Sequence, residues 1–308
     1  MRTVVGLDIG GSSIKAGIVG EDLKILVSEV IPVDRGSATT SIARCVTAVE
    51  KMESRCGGTS IAVGIACPGP YDGRKDILMK LPNLPAWEGF PLREAAAESF
   101  GKPTFLENDA NAAALAESRL GAGVGAQVML MVTLGTGVGG GIVWNGNVLR
   151  GSHGFAGEFG HITIDPEGPE CGCGKRGCLE SYVGSRAILD SFRTMSGIAG
   201  ASIPMSEIVT QSKAGKEPAR SVMAVVGARL GFALGGLGNA LDPDVIIVGG
   251  GIANAGIPLF DALKFGISRA MMPAMRGGIE VRAASLGNEA GLLGAAIMAL
   301  EGISALHS

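Results

Sequence analysis

The sequence predicts an α/β enzyme built from two related βα modules, and three observations predict it. Glycine accounts for 50 of the 308 residues, more than twice the average usage of about 7%. The 46% hydrophobic content is mostly aliphatic residues and Ala, with only 4% aromatic. Short apolar runs twice appear as strand pairs around a glycine turn, once near the N-terminus and once mid-chain. The glycines have no G-X-Y period, which excludes collagen, and Val, Ile, Leu and Ala are too abundant for disorder. Such a composition suits strands that end in tight glycine turns, where backbone can approach a ligand closely.

Thr3–Ile9 and Ile14–Val19, joined by a glycine turn, read as an opening hairpin, with a third strand near Lys24–Ile31. Ser41–Arg55 is predicted helical because Ile42, Cys45, Val46, Val49 and Met52 form an apolar face. Ile61–Ala66 is an apolar strand ending in Pro68-Gly69-Pro70. Tyr71 to Pro91, interrupted by prolines and holding Trp87, reads as loop, with Trp87 either packed or on a pocket rim. Leu92–Ser99 is predicted helical, Thr104–Leu106 a strand and Ala110–Leu120 a helix. The second module repeats the pattern with strands at Val128–Leu134 and Gly141–Trp144. An irregular, motif-dense stretch, Gly151–Cys178, follows. Helices are expected at Ser185–Met195, Met205–Gln211 and Ala219–Leu241, a buried strand at Asp244–Val248 and a closing helix at Glu289–Leu300.

Charge excludes several function classes. Lys and Arg number 26 against 29 Asp and Glu, a net charge of −3, so neither nucleic acid nor a membrane surface is an expected partner. The N-terminus reaches an acid by Asp8, unlike a signal peptide. Leu120 to Leu149 passes 30 residues without a charge, enough for a membrane helix. Nine of them are Gly, so two strands around a turn are expected there instead. Cys45, Cys56 and Cys67 are scattered and read as small core residues. Cys171, Cys173 and Cys178 cluster, and in an expected cytoplasmic, reducing location they point to metal rather than disulfides.

Five motifs could carry chemistry. Asp8-Ile9-Gly10-Gly11-Ser12-Ser13-Ile14-Lys15 is either an ordinary hairpin turn or a cradle whose N–H groups face phosphate, with Asp8 able to hold hydrated Mg²⁺. Thr133-Leu134-Gly135-Thr136-Gly137-Val138-Gly139-Gly140-Gly141 suits a second phosphate turn. In Glu107-Asn108-Asp109, Asp109 is either a helix N-cap or a general base that the helix dipole keeps ionised. His161, Cys171, Cys173 and Cys178 make a closed Cys₃His set suited to structural Zn²⁺, on a loop that also carries Glu158 and Glu180. Gly249-Gly250-Gly251, with Gly291 later, is either a strand-to-helix turn or a platform for adenosine.

Taken together, DIGGSSIK, CPGP, LPNLPAW, END, TLGTGVGGG, EFGH with CGCGKRGCLE, and VGGG resemble the ROK family of sugar kinases, within the actin-like, hexokinase-type ATPase superfamily. They run in family order from Asp8 to Gly251, so the resemblance spans nearly the whole chain. It implies a two-lobed actin-like ATPase (ribonuclease H-like) fold with a central cleft. Residues 1–117 and a C-terminal helix of about 295–308 would form a small lobe, and 118–294 a large lobe with the zinc-binding loop. It also implies an ATP-dependent hexose kinase with Asp109 as base, cofactors ATP, Mg²⁺ and structural Zn²⁺, and a homodimer or tetramer.

By the same resemblance, Asn108, Glu158, His161 and Glu180 contact the sugar, with Gly69 and Asn83 at its rim. Asp8, Gly10, Gly11, Ser12 and Lys15 match one phosphate loop. Thr133, Gly135, Thr136, Gly137, Gly139 and Gly140 match the other, and Gly249–Gly251 the adenosine side. Glucose is the expected sugar, with N-acetylglucosamine, N-acetylmannosamine, mannose and fructose as alternatives and a non-catalytic sugar sensor beyond them. Family repressors carry an N-terminal helix-turn-helix, for which a first strand beginning by Thr3 leaves no room.

Overall fold

The computed structural model describes residues 2–72, 75–79, 81, 83–198 and 202–306. Pro82 of LPNLPAW and the last two positions of the expected C-terminal segment therefore lie outside the described residues. The chain divides into two compact units. One comprises Met1–Leu120, Val148–Ala156 and Asn288–Ser308, and the other Gly121–Asn147 and Gly157–Gly287.

In the first unit, β1 (Thr3–Ile9) and β2 (Ser13–Gly20) form the expected antiparallel hairpin, and β3 (Ile25–Pro32) extends it. Helix α1 (Ala38–Cys56) starts before the predicted Ser41 because the Ser37 hydroxyl accepts the Thr40 N–H at 3.1 Å, and it stops at Gly57 in the left-handed region. β4 (Val63–Cys67) runs parallel to β1 and is buried along its whole length, as suits a strand covered on both faces. The segment read as loop holds a small hairpin of β5 (Tyr71–Asp72) and β6 (Ile77–Leu78) and a 3₁₀ turn at Pro85–Trp87. Trp87 is fully buried, with its indole N–H donating to the Asp34 carbonyl at 3.1 Å, so it packs and forms no pocket rim. Helix α2 (Leu92–Phe100), β7 (Thr104–Asn108) and α3 (Asp109–Leu120) complete this part.

In the second unit, β8 (Val128–Leu134) pairs with β9 (Val138–Trp144), and β10 (Asn147–Val148) follows. The uncharged stretch from Leu120 to Leu149 is thus mainly strand, with no membrane-length helix. β9 starts at Val138 rather than Gly141, because the glycines pair in register with β8 instead of looping out. Helices α4 (Glu180–Val183), α5 (Ser185–Ser196), α6 (Met205–Lys213) and α7 (Ala219–Leu241) lead to β11 (Val245–Gly249). Two further elements, α8 (Ile257–Ala270) and β12 (Glu280–Ala283), are absent from the sequence reading. The buried face of α8 is narrow, Leu259, Leu263, Gly266 and Ile267, and β12 has no buried residue, so neither carries a strong pattern. Helix α9 (Ala290–Leu306) belongs to the first unit.

The two large sheets repeat one topology. Their orders are β3-β2-β1-β4-β7 and β10-β9-β8-β11-β12, each an antiparallel hairpin with an edge strand on one side and two parallel strands on the other. This is the strand order of the ribonuclease H-like, actin-like ATPase fold.

Glycine sets how helices meet their neighbours. A Cβ on Gly64 of β4 would lie 1.8 Å from the Ala295 carbonyl oxygen of α9, so this helix rides directly on sheet backbone. In the other unit Gly227, Gly231 and Gly235 let α7 press on α8, with a Cβ on Gly231 falling 2.1 Å from the Leu263 oxygen. α7 and Gly287–Leu306 are long and apolar enough to cross a membrane, yet both carry the buried faces of these packings. Of the scattered cysteines, Cys45 and Cys67 are core residues as expected, but Cys56, the last residue of α1, is exposed.

Candidate functional site

In the first unit the strand ends converge on carboxylates. Asp8 lies at the end of β1, in register with Lys15 of β2, whose Nζ is 3.9 Å from its carboxylate. Lys15 also donates to the Asn288 carbonyl at 2.6 Å. Burial raises the Asp8 pKa above the ordinary carboxylate value, and the Lys15 charge opposes that rise. A Cβ on Gly291, at the start of α9, would fall 2.5 Å from the Asp8 Cγ. Gly291 therefore shapes the space around Asp8 and is grouped with it, whereas Gly249–Gly251 belong to the second unit. The turn between β1 and β2 is closed by Gly10 N–H donating to the Ser13 carbonyl at 2.8 Å, which uses the N–H of neither Gly11 nor Ser12. Asn83 is exposed beside this turn, its Cβ 3.3 Å from where a Gly11 side chain would begin.

Asp109 is the first residue of α3, immediately after β7. The capping duty falls to Asn108, whose Oδ1 accepts the N–H groups of Ala110 at 2.9 Å and Asn111 at 3.2 Å. The Asn108 amide also donates to the carbonyl of Gly69 at 3.2 Å, and Gly69 turns with φ of 79°. Asp109 Oδ1 accepts the Ala110 N–H at 2.8 Å, so its carboxylate sits on the positive end of α3. A carboxylate at a strand end that is not the helix cap is suited to accept a proton.

In the second unit the turn between β8 and β9 is Gly135-Thr136-Gly137. Thr133 pairs with Gly139, so Gly139 and Gly140 are strand residues and not part of the turn. Gly140 is required by packing, since a Cβ there would lie 2.3 Å from the Phe159 ring. Two side chains outside the turn hold it. Ser185 donates to the Gly135 carbonyl through its N–H at 3.1 Å and its hydroxyl at 2.6 Å. Glu180 Oε2 accepts the Val138 N–H at 2.9 Å. Gly250, with φ of 85°, packs on the Leu134 backbone, and Gly249 pairs with Thr133, so these two glycine turns are neighbours. Gly251 opens a 3₁₀ turn, Gly251–Ala255.

The ligand atoms of His161, Cys171, Cys173 and Cys178 lie within 4.8 Å of one another. Cys173 Sγ and Cys178 Sγ are 3.7 Å apart, as are Cys171 Sγ and His161 Nδ1. A tetrahedral zinc with Zn–S bonds of about 2.3 Å has S–S edges of about 3.8 Å, so the donor set and its spacing both fit that ion. Burial and the neighbouring thiols push the Cys178 pKa up to about 12. The loop is fixed by backbone: Cys171 N–H donates to the Lys175 carbonyl at 2.8 Å, and a Cβ on Gly177 would collide with the Asp165 carbonyl.

With Nδ1 facing the thiols, His161 Nε2 points to Glu158 Oε2 at 4.0 Å. Burial raises the pKa of Glu158; His161 opposes the rise and the Glu180 charge adds to it. Glu180 Oε1 is 3.9 Å from Cys171 Sγ, so one carboxylate touches both the thiol cluster and the glycine turn. Ser185 lies outside every motif noted in the sequence, and no local spacing marks it.

The model of the ROK family matches residues 4–302. A glucokinase of Halalkalibacterium halodurans is 36% identical over 309 residues, covering 95% of this chain and 93% of that one. Among solved structures, a ROK hexokinase from Thermus thermophilus superposes with a TM-score of 0.84 at 36% identity, covering 99% of this chain and 100% of that one. A ROK family glucokinase from Streptomyces griseus, in complex with glucose and AMPPNP, gives a TM-score of 0.85 at 33% identity, covering 97% and 100%. The chain belongs to the ROK family.

Proposed function

We propose that the protein is an ATP-dependent hexose kinase that transfers the γ-phosphoryl group to a sugar hydroxyl, most favourably converting glucose to glucose 6-phosphate. The observation that carries this is the placement of Asp109, its carboxylate on the N–H groups that open α3 while Asn108 takes over the helix cap. Asp109 accepts the proton of the attacking hydroxyl. Phosphoryl transfer needs positioning and charge neutralisation more than covalent help. The turn at Gly10–Ser12 with Lys15, and the turn at Gly135–Gly137, offer N–H groups and one ammonium to phosphate oxygens. Asp8 is the residue to hold Mg²⁺, which neutralises phosphate charge when bound, and Gly249–Gly251 lie against the adenosine.

Asn108, Glu158 and His161 bind sugar hydroxyls, with Gly69 and Asn83 at the rim. Glu180, engaged by Val138 and Cys171, positions backbone as well as sugar. His161, Cys171, Cys173 and Cys178 would hold zinc, which supplies a cross-link and no reacting group. A cytoplasmic homodimer accords with this reading. The test is a coupled assay with ATP and Mg²⁺ across glucose, N-acetylglucosamine, N-acetylmannosamine, mannose and fructose. Glucose is expected to give the highest kcat/KM, and absence of ADP formation with all five sugars would sink the proposal.

A further inference from the structure

Glu107 is a charged residue at the C-terminal end of β7 and only 5% exposed. A buried carboxylate persists as an ion only when its oxygens are matched by donors. Here Oε1 accepts the Asn108 N–H at 3.0 Å and the Asn111 side-chain amide at 3.1 Å. Oε2 accepts Arg150 Nε at 2.6 Å. Two of these three donors belong to residues on either side of Asp109 along the chain, and the third is the only cation among them. Arg150 comes from Val148–Ala156, a segment far away in sequence. That segment is held in shape by Ala156 N–H donating to the Arg150 carbonyl at 3.1 Å, and by Gly151 and Gly154 in the left-handed region.

We infer that the Glu107–Arg150 pair is a positioning device for the proposed general base. Arg150 fixes the Glu107 carboxylate through Oε2, and Glu107 through Oε1 holds Asn108 and Asn111 so that the first turn of α3 presents Asp109 in one orientation. Neither residue touches the reacting atoms. Without the guanidinium, Glu107 Oε2 is left buried without its charged partner, and the carboxylate is no longer held in one orientation. Its hold on Asn108 and Asn111 is then lost, and the start of α3 loosens. A displacement of the base by about 1 Å is enough to cost on the order of 100-fold in rate. The Arg150 side chain is half exposed, so its own removal leaves no cavity in the core.

The inference rests on Asp109 acting as the base of the proposed kinase, and the experiment separates the two. Arg150→Met and Arg150→Lys are compared with the unaltered protein by kcat and KM for sugar, thermal melting, and hydrogen exchange of the Ala110 and Asn111 amides. Arg150→Met should lower kcat at least tenfold, leave sugar KM within about threefold and melting nearly unchanged, and accelerate exchange at Ala110 and Asn111 at least tenfold. Arg150→Lys should recover part of the kcat and of the protection. Unchanged exchange in Arg150→Met overturns the inference, as does unchanged kcat, or a joint fall of kcat, sugar affinity and melting that Lys does not rescue. If the unaltered protein phosphorylates no sugar, the kinase proposal fails, and exchange at Ala110 and Asn111 still decides whether the pair holds α3.

Discussion

The two large sheets have the same strand order, but their opening turns are supported differently. The first turn draws its charge from its own hairpin, with Asp8 and Lys15 facing each other across β1 and β2. The second is flanked by Thr133 and Gly139 and has no charge on its strands. Its shape depends on Ser185 and Glu180, which reach it from later elements. Repetition of a topology therefore does not repeat the chemistry. The first unit also carries Asp109, whereas the second carries the thiol cluster through which Glu180 is tied to the turn.

Substitutions can break this contrast or sharpen it. The largest effect is expected from Asp109→Asn, which removes the proposed proton acceptor while keeping the shape. Turnover should fall by about 10² to 10⁴-fold, the usual range for a general base, with sugar affinity little changed by calorimetry. Near-normal kcat would move the chemistry away from the first unit. Next is Gly64→Ala, which drives a methyl into the Ala295 carbonyl of α9. Neither backbone can yield easily, so chemical denaturation should show a loss of about 3 kcal/mol. A smaller, more local effect should follow Cys173→Ser. Metal analysis should find zinc in the unaltered protein and none in this variant, and KM for ATP should rise severalfold as Glu180 loses its anchored neighbour. Full zinc occupancy with unchanged KM would separate the cluster from the turn.

The smallest effect has the opposite sign. Gly236 is a helical residue of α7 with nothing near its would-be Cβ, unlike Gly235 beside it. Gly236→Ala should stabilise the protein by about 0.5–1 kcal/mol. A destabilisation would mean that the exposed face of α7 is covered.

Much of the fold was legible because its signals are short-range. The hairpins were visible as apolar runs around glycines, and the ends of α1 erred only where Ser37 supplied a cap outside the apolar face. The thiol cluster was legible because Cys171, Cys173 and Cys178 fall within one short loop. What failed had weak or misleading patterns. Gly139 and Gly140 looked like turn residues, but cross-strand pairing and the Phe159 ring make them strand. α8 was missed because its buried face is narrow, with a glycine that α7 demands.

By itself, the sequence determined the strand and helix periodicities, the two glycine turns, the Glu107-Asn108-Asp109 junction and the grouping of the three clustered cysteines. Each of these depends on residues close together in the chain, whose backbone preferences act before any long-range contact forms. Only the tertiary structure decided that Gly291 serves Asp8, that Glu180 holds Val138, that Ala110 and Asn111 are capped by Asn108 while Glu107 turns to Arg150, and that Gly64 admits α9. Most of these partners are tens to hundreds of positions apart, so no local spacing encodes them. They become neighbours only when burial of the two cores closes the intervening chain.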